Sequence, residues 1–179
     1  MNGQMYIMKA KLSNSPLSLL RRAGASLLFI GYFPWASGTI GSAVTVAGIW
    51  YLNTKYPSFF ASSHYLHYWF AMTAMTVISI FLSNDSKSVF GDDDPSPVII
   101  DEVAGQLVTF FMVPLTIKTL VAGFLLFRFY DIVKPWFVNN LQELDEGAGI
   151  TLDDVAAGVL ANITLMLLLL GYNWVRAYL

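Results

Sequence analysis

Two pairs of adjacent carboxylates stand out because each pair precedes an apolar stretch. Asp101-Glu102 and Asp153-Asp154 are both followed by small residues, at 104–105 and 156–158. A single acid at a helix N-terminus is explained as a cap, which the helix dipole stabilises by about 0.3–1 kcal/mol, whereas a second adjacent acid adds repulsion. Small residues let membrane helices approach closely. We therefore expect both pairs to open helices and to meet at a site for a hard divalent cation.

A basic and acidic triplet follows at intervals of three residues. Arg128, Asp131 and Lys134 occupy one face of a predicted helix, which Pro135 ends because the residue before proline is displaced from the α region. Such a cluster also fits a membrane interface that pairs with lipid headgroups. An interface that binds anionic headgroups would not place Asp131 between the cations. Acids beside Arg and Lys are instead what a metal-bridged phosphate requires.

A glycine-rich segment at 37–42 is a weaker candidate for phosphate binding. Glycines allow close backbone approach, and the N–H groups at a helix N-terminus attract anions. A flexible turn into the membrane explains the segment equally well. Its candidate substrate-binding residues are Gly38, Thr39, Gly41 and Ser42.

The composition indicates a membrane protein of one domain. Of 179 residues, 56% are hydrophobic and only 12% are charged, whereas soluble domains contain about 25% charged residues. The net charge of -2 and the lack of basic runs argue against nucleic-acid binding. The chain has no cysteine, which excludes disulfides, thiolate metal sites and cysteine nucleophiles. We expect no signal peptide at 1–16.

Apolar stretches without charges indicate the membrane helices. Residues 23–54, 56–84 and 155–175 contain no Asp, Glu, Lys or Arg, and 103–127 contains only Lys118. One continuous span at 103–127 would place that lysine in hydrocarbon, at a cost of about 2.5–3.5 kcal/mol. A hairpin that turns at Pro114-Leu115-Thr116 lets the lysine reach the interface.

The predicted fold is an all-α polytopic bundle of four to five membrane helices plus an N-terminal interfacial helix. We expect one domain over 1–179, with a polar N-terminus and interfacial helix at 1–30, a loop at 31–39 and a span at about 40–53. The hairpin places all 12 acids on one face, together with seven of the ten basic residues. The positive-inside rule makes this face cytoplasmic.

Other conspicuous residues receive structural interpretations. We expect residues 165–170 to face lipid or the core, and Asp92, Asp93 and Asp94 to form a solvated loop. The interfacial tryptophans are Trp50, Trp69 and Trp174. His64 and His67 lie on the opposite face in this topology and are assigned no chemistry.

In order and spacing, these motifs resemble the phosphatidylglycerophosphatase A family over about residues 31–158. The resemblance rests on four ordered segments. They are Gly38-Thr39-Ile40-Gly41-Ser42; Asp94-Pro95-Ser96 leading into Ile100-Asp101-Glu102-Val103-Ala104-Gly105; Phe127-Arg128 with Asp131 and Lys134-Pro135; and Gly147-Ala148-Gly149-Ile150 followed by Asp153-Asp154 and Ala157-Gly158.

The resemblance implies a multi-pass enzyme of the bacterial inner membrane that faces the cytoplasm and uses Mg²⁺ to hydrolyse phosphatidylglycerophosphate to phosphatidylglycerol. Its substrate is a phospholipid, and its oligomeric state stays open. The metal would be held by some subset of Asp101, Glu102, Asp131, Asp153 and Asp154. Arg128 and Lys134, with the backbone at 39–42, would hold the phosphate. A remaining carboxylate would act as base, and a covalent aspartyl-phosphate is not excluded.

Three positions depart from the family pattern. Ser37 and Phe137 stand where the family usually has proline, and Glu146 stands where it has glycine. These positions flank the charged residues, so they bear on loop geometry more than on chemistry. Glu146 adds an acid close to the expected phosphate.

Two other functions stay open. A phospholipid headgroup transferase would use similar acids, but its Asp-Gly…Ala-Arg…Gly…Asp…Asp motif is missing. A cation transporter would place the acids near mid-bilayer in broken helices, whereas these acids lie at the expected span ends.

Overall fold

A computed structural model describes residues 15–92, 95–135 and 146–178 of the chain. Within these ranges the chain is helical and contains no strand, which confirms the all-α prediction. Two short 3-10 helices lie at Ile30–Tyr32 and Ser62–His64. The α-helices of the described residues are α1 (Pro16–Ala25), α2 (Ser37–Lys55), α3 (Pro57–Phe60), α4 (Tyr65–Ser83), α5 (Ser86–Phe90), α6 (Ile100–Thr109), α7 (Ile117–Val133) and α8 (Glu146–Tyr178).

Two helices are long and apolar enough to cross a bilayer, by length and composition alone. They are α4 and the Gly147–Ala177 part of α8, with 19 and 31 residues. The other described helices are shorter or richer in Gly, Ser and Thr, so the expected four to five spans stay a prediction.

The segment from α6 to α7 is a helical hairpin, as the proline and lysine predicted. α6 ends at Thr109, Met112 has a left-handed φ of 57°, and the Thr116 side chain caps α7. A Cβ on Gly105 would collide with the Phe127 ring, and one on Gly123 would collide with the Phe110 ring. These contacts make the two helices antiparallel, so the start of α6 lies beside the end of α7.

Small residues bring α6 and α8 into backbone contact. A Cβ on Gly158 would overlap the carbonyl oxygen of Gly105, and Ala157 and Ala161 are fully buried against Phe127. The Asn162 side chain donates to the carbonyl oxygens of Thr109 and Phe111, where α6 ends. These contacts hold α6 against residues 157–162 of α8, with the two helices running in the same direction.

The N-terminal helix lies within the range 1–30 expected for it and ends earlier than expected. The Ser15 side chain accepts from the Ser18 backbone N–H, with Pro16 in the first helical position. The helix was expected to reach about Ile30 but ends at Ala25, because Leu27, Leu28 and Phe29 all have positive φ angles and cannot continue it. Arg21 pairs with Asp85 and attaches α1 to the start of α5. The interfacial position of α1 stays a prediction.

The backbone contact between α6 and α8 predicts a position-specific effect of an added methyl group. Gly158→Ala should lower the free energy of unfolding by about 1–3 kcal/mol, because the new methyl overlaps a backbone oxygen that cannot rotate away. Gly171→Ala is the matched control in the same helix. No atom lies within 4 Å of its added Cβ, so it should gain up to about 1 kcal/mol from helix propensity. Thermal unfolding in detergent measures both, and equal shifts would contradict the packing.

Candidate metal and phosphate site

Three carboxylates from two helices meet at one point. Oxygen atoms of Asp101, Glu102 and Asp154 lie within 4.8 Å of one another. The two α6 acids are in its first turn, and Asp154 reaches them because α8 contacts α6 at Gly105 and Gly158. The first acidic pair therefore meets Asp154 of the second pair as expected, while Asp153 is not part of this group.

This carboxylate group has unused ligand capacity. Glu102 and Asp154 are buried, and Oε2 of Glu102 and Oδ2 of Asp154 have no hydrogen-bond partner. Buried like charges at this separation repel strongly unless a cation or protons offset them. Carboxylate oxygens are the ligands that hard divalent cations such as Mg²⁺ and Ca²⁺ prefer, so these donors fit such an ion.

Arg128 lies between the carboxylate group and a fourth acid. Its Nη1 is 2.5 Å from Oδ2 of Asp131, one turn further along α7, and 3.5 Å from Oε1 of Glu102. Its buried Nε has no hydrogen-bond partner. Asp131 therefore orients a guanidinium that still has a donor available beside the carboxylates.

Lys134 forms the second ion pair of the site. It caps α7 in a left-handed conformation, with a φ of 41°, and its Nζ donates to Oδ2 of Asp153 at 2.6 Å. Burial alone would lower the pKa of Lys134. The hydrogen bond to Asp153 and the charges of Asp153, Asp131 and Asp154 outweigh that effect and raise the pKa. The lysine is therefore a cation at neutral pH.

The glycine-rich segment at 37–42 opens a helix, so residues 37–39, which were expected to end a loop, are helical. α2 begins at Ser37, which puts Gly38, Thr39, Gly41 and Ser42 in its first two turns. No side chain caps this N-terminus, and a Cβ on Gly38 would collide with Oε1 of Glu102 and lie 3.2 Å from Nη1 of Arg128. The positive end of the α2 dipole thus adjoins the charged cluster.

The second acidic pair does not open a helix. α8 starts at Glu146, and Gly147 in its first turn packs on the carbonyl oxygen of Ile80. Asp153 and Asp154 therefore lie in the third turn of this helix. N-terminal capping therefore does not explain these two acids.

Several residues considered from the sequence lie apart from this cluster or outside the description. Asp92 is exposed, while Asp93, Asp94 and Phe137 lie outside the described residues, as does the Glu146 side chain. His64 and His67 are exposed and face each other, with ring centroids 5.6 Å apart.

Sequence reasoning missed Gln106. It is fully buried one turn after Glu102, and neither its amide oxygen nor its amide nitrogen has a hydrogen-bond partner. A buried unpaired amide is costly, so its place next to the carboxylates points to a polar group bound there. The signal in the sequence was this glutamine four residues after Glu102, in a helix that is largely apolar after its first turn.

Comparison with known proteins identifies similar bacterial sequences. The family model described as Phosphatidylglycerophosphatase A matches residues 23–169. A Bacteroides thetaiotaomicron protein that carries the name "Putative phosphatidylinositol-3-phosphatase" is 33% identical over 139 residues, 74% of this chain and 83% of that protein. Phosphatidylglycerophosphatase A of Escherichia coli is 28% identical over 146 residues, 80% of this chain and 79% of that protein.

A third relative matches a shorter region. Phosphatidylglycerophosphatase A of Haemophilus influenzae is 33% identical over 89 residues, 49% of this chain and 55% of that protein. No solved structure matches the chain significantly.

The carboxylate group predicts a stability response to divalent cations. Without Mg²⁺, Asp154→Asn should unfold at a higher temperature than the wild type, because it removes one of three repelling charges. Saturating Mg²⁺ should stabilise the wild type, by about 2.7 kcal/mol at a hundredfold excess over Kd, and should have little effect on the variant. The measurement is thermal unfolding in detergent with and without Mg²⁺.

Asp85→Asn serves as the control for this experiment. Asp85 pairs with Arg21 and is not part of the carboxylate group, so its variant should keep the full response to Mg²⁺. If Mg²⁺ raised the unfolding temperature of Asp154→Asn as much as that of the wild type, the result would contradict the assignment of the cation to these acids.

Proposed function

This chain belongs to the phosphatidylglycerophosphatase A family, and we propose that it hydrolyses the terminal phosphate of phosphatidylglycerophosphate to give phosphatidylglycerol and phosphate. The observation that carries this proposal is the group of three carboxylates directly beside Arg128. A phosphate monoester needs cations around its oxygens, and this site offers an arginine, a lysine and ligands for a metal.

The five acids then have two different roles. We assign Mg²⁺ to Asp101, Glu102 and Asp154, whose oxygens converge and include two unpartnered buried atoms. Bound there, the ion would supply Lewis-acid polarisation of the phosphoryl group. Asp131 and Asp153 instead hold Arg128 and Lys134 in place.

The cations of the site would bind the phosphate and stabilise charge as it develops. Arg128 would donate to phosphoryl oxygens through those guanidinium N–H groups that do not contact Asp131 or Glu102. Lys134 adds a positive charge on the same side of the cluster. The backbone N–H groups of Ser37, Gly38 and Thr39, which open α2, would contribute further donors, whereas the next N–H, of Ile40, already donates to the carbonyl oxygen of Ala36.

The reaction also requires a proton acceptor. Water attacks phosphorus, the bond from phosphorus to the glycerol oxygen breaks, and that oxygen leaves with a proton. Asp101 is the least buried of the three clustered acids. We propose that, besides its place in the metal group, its second carboxylate oxygen accepts the proton of the attacking water and passes it to the leaving glycerol oxygen.

The depth of the site favours hydrolysis over cation transport. α8 has 33 residues, so it is about 50 Å long, while the hydrocarbon core is about 30 Å thick. With Arg176 at one membrane face, the other face falls about 20 residues earlier, near residue 156. Asp153 and Asp154 then lie at the level of lipid phosphates, away from mid-bilayer where a transporter would need them.

We propose that the whole chain is one multi-pass domain of the bacterial inner membrane, with the site facing the cytoplasm. Its support is the sequence pattern that collects all 12 acids between Asp85 and Asp154 and seven of the ten basic residues on the same face. The bacterial source of the relatives agrees with this location.

One relative raises a second candidate substrate of the same chemical type. The Bacteroides thetaiotaomicron protein is named for phosphatidylinositol 3-phosphate, which is also a phosphate monoester on a lipid headgroup. The same acids and cations would act on either lipid. Phosphate release from the two lipids is measured side by side in detergent micelles and should be faster with phosphatidylglycerophosphate. Faster release from phosphatidylinositol 3-phosphate would make that lipid the preferred substrate instead.

Removal of a metal ligand should abolish phosphate release. Asp101→Asn and Asp154→Asn should each lower kcat by about 100-fold or more, because each loses a ligand charge in a buried site. EDTA should abolish wild-type activity and added Mg²⁺ should restore it. Asp92→Asn, at an exposed acid, is the control and should retain full activity. Activity that survives EDTA would refute the metal-dependent mechanism.

The arginine should not be replaceable by lysine. Arg128→Lys keeps the positive charge but loses the forked geometry that contacts Asp131 and Glu102 together. We expect kcat/KM to fall by about 10- to 100-fold while the Mg²⁺-dependent stabilisation persists. Full activity in this variant would assign phosphate binding to other groups.

A further inference from the structure

An apolar groove runs between α2 and α7. Its volume is about 420 Å³, and every lining side chain is apolar. The small side chains of Ala43 and Ala47 leave the space open, and Trp50 is the last lining residue along α2. The lining residues are Ala43, Val46, Ala47 and Trp50 of α2 and Ile117, Leu120, Val121 and Phe124 of α7.

The groove continues from the charged cluster along the same two helices. Gly38, in the first turn of α2, adjoins Arg128 of α7. The lining begins five residues after that glycine, at Ala43, and four residues before that arginine, at Phe124. At 1.5 Å per residue, the groove opens about 6–8 Å from the proposed phosphate site.

The far end of the groove lies about one acyl-chain length from the charged cluster. From Gly38 to Trp50 along α2 is about 18 Å, and from Arg128 to Ile117 along α7 is about 16 Å. Half of the hydrocarbon core is about 15 Å thick. A phospholipid whose terminal phosphate lies at the charged cluster would place its headgroup between the cluster and the start of the groove, and an acyl chain would then enter the groove.

We propose that this groove binds one acyl chain of the phospholipid substrate, an inference that rests on the proposed function. Lipid tails are as apolar as these side chains, so the groove gains no hydrophobic free energy over the bilayer. Its contribution is orientation. A chain held between α2 and α7 sets the depth and direction of the headgroup, and this presents the terminal phosphate to Arg128 and the carboxylates.

The test compares two tryptophan variants on the same helix. Ala47→Trp fills the groove, whereas Val44→Trp adds the same bulk at an exposed position of α2 outside the lining. The substrates are dipalmitoyl and dihexanoyl phosphatidylglycerophosphate in detergent micelles. The six-carbon chains reach less than half of the groove, so they depend less on it.

We expect Ala47→Trp to lower kcat/KM for the dipalmitoyl lipid by about 10-fold or more and to affect the dihexanoyl lipid much less. Val44→Trp should leave both values near those of the wild type. Equal losses with both lipids, or no loss with either, would overturn the assignment.

A photocrosslinking measurement on the wild-type protein covers the case in which Ala47→Trp fails to fold. Dipalmitoyl phosphatidylglycerophosphate with a diazirine at the end of one chain should label α2 and α7 near Trp50 and Ile117, and unlabelled lipid should compete. Labelling spread over α4 and the C-terminal half of α8 would overturn the proposal. Wild-type protein that labels at the groove but releases no phosphate would refute the proposed function alone.

Discussion

The backbone contact between α6 and α8 determines the rest of the site. Two glycines, Gly105 and Gly158, let the helices approach until Asp154 lies beside Asp101 and Glu102. Three carboxylates so close together and so deeply buried are unfavourable alone. The positive groups next to them offset this repulsion. α7 runs antiparallel to α6 and delivers Arg128, and α2 begins with its positive end at the same point.

The ion pairs divide the acids of the site by their partners. Asp131 and Asp153 each have one cation at hydrogen-bond distance, so their charge is neutralised within the protein. Of the other three acids, only Glu102 forms an ion pair with a cation of the described residues, at 3.5 Å from Arg128. The excess negative charge therefore lies on the three clustered acids, while Arg128 and Lys134 lie around them. These three acids would hold a divalent cation, whose ligands are preferably carboxylate oxygens.

Local signals predicted much of this fold, and long-range packing accounts for what they missed. Pro114 and Lys118 were enough to predict the hairpin, since the cost of a lysine in hydrocarbon does not depend on tertiary structure. Pro135 likewise predicted the end of α7. The start of α8 was mistaken because an acidic pair is typical of a helix N-terminus, whereas the helix extends back to Glu146, where Gly147 contacts Ile80 and donates to the Asn84 side chain. The division of the acids into paired and clustered groups depends on how α7 is rotated about its axis. That rotation is set by the burial of Phe127 among small residues of α6 and α8, which a sequence pattern does not encode.

If α7 is one of the predicted membrane spans, its shortness has a consequence for the membrane itself. Its 17 residues measure about 25 Å, compared with about 30 Å of hydrocarbon in an average bilayer. Hydrophobic mismatch of this kind is relieved when the adjacent lipid thins, at a fraction of a kcal/mol per Å. Headgroups next to α7 would then lie a few ångströms deeper than headgroups elsewhere in the leaflet. The protein would deform the surface from which it takes its substrate, and the deformation would be greatest beside the helix that carries Arg128.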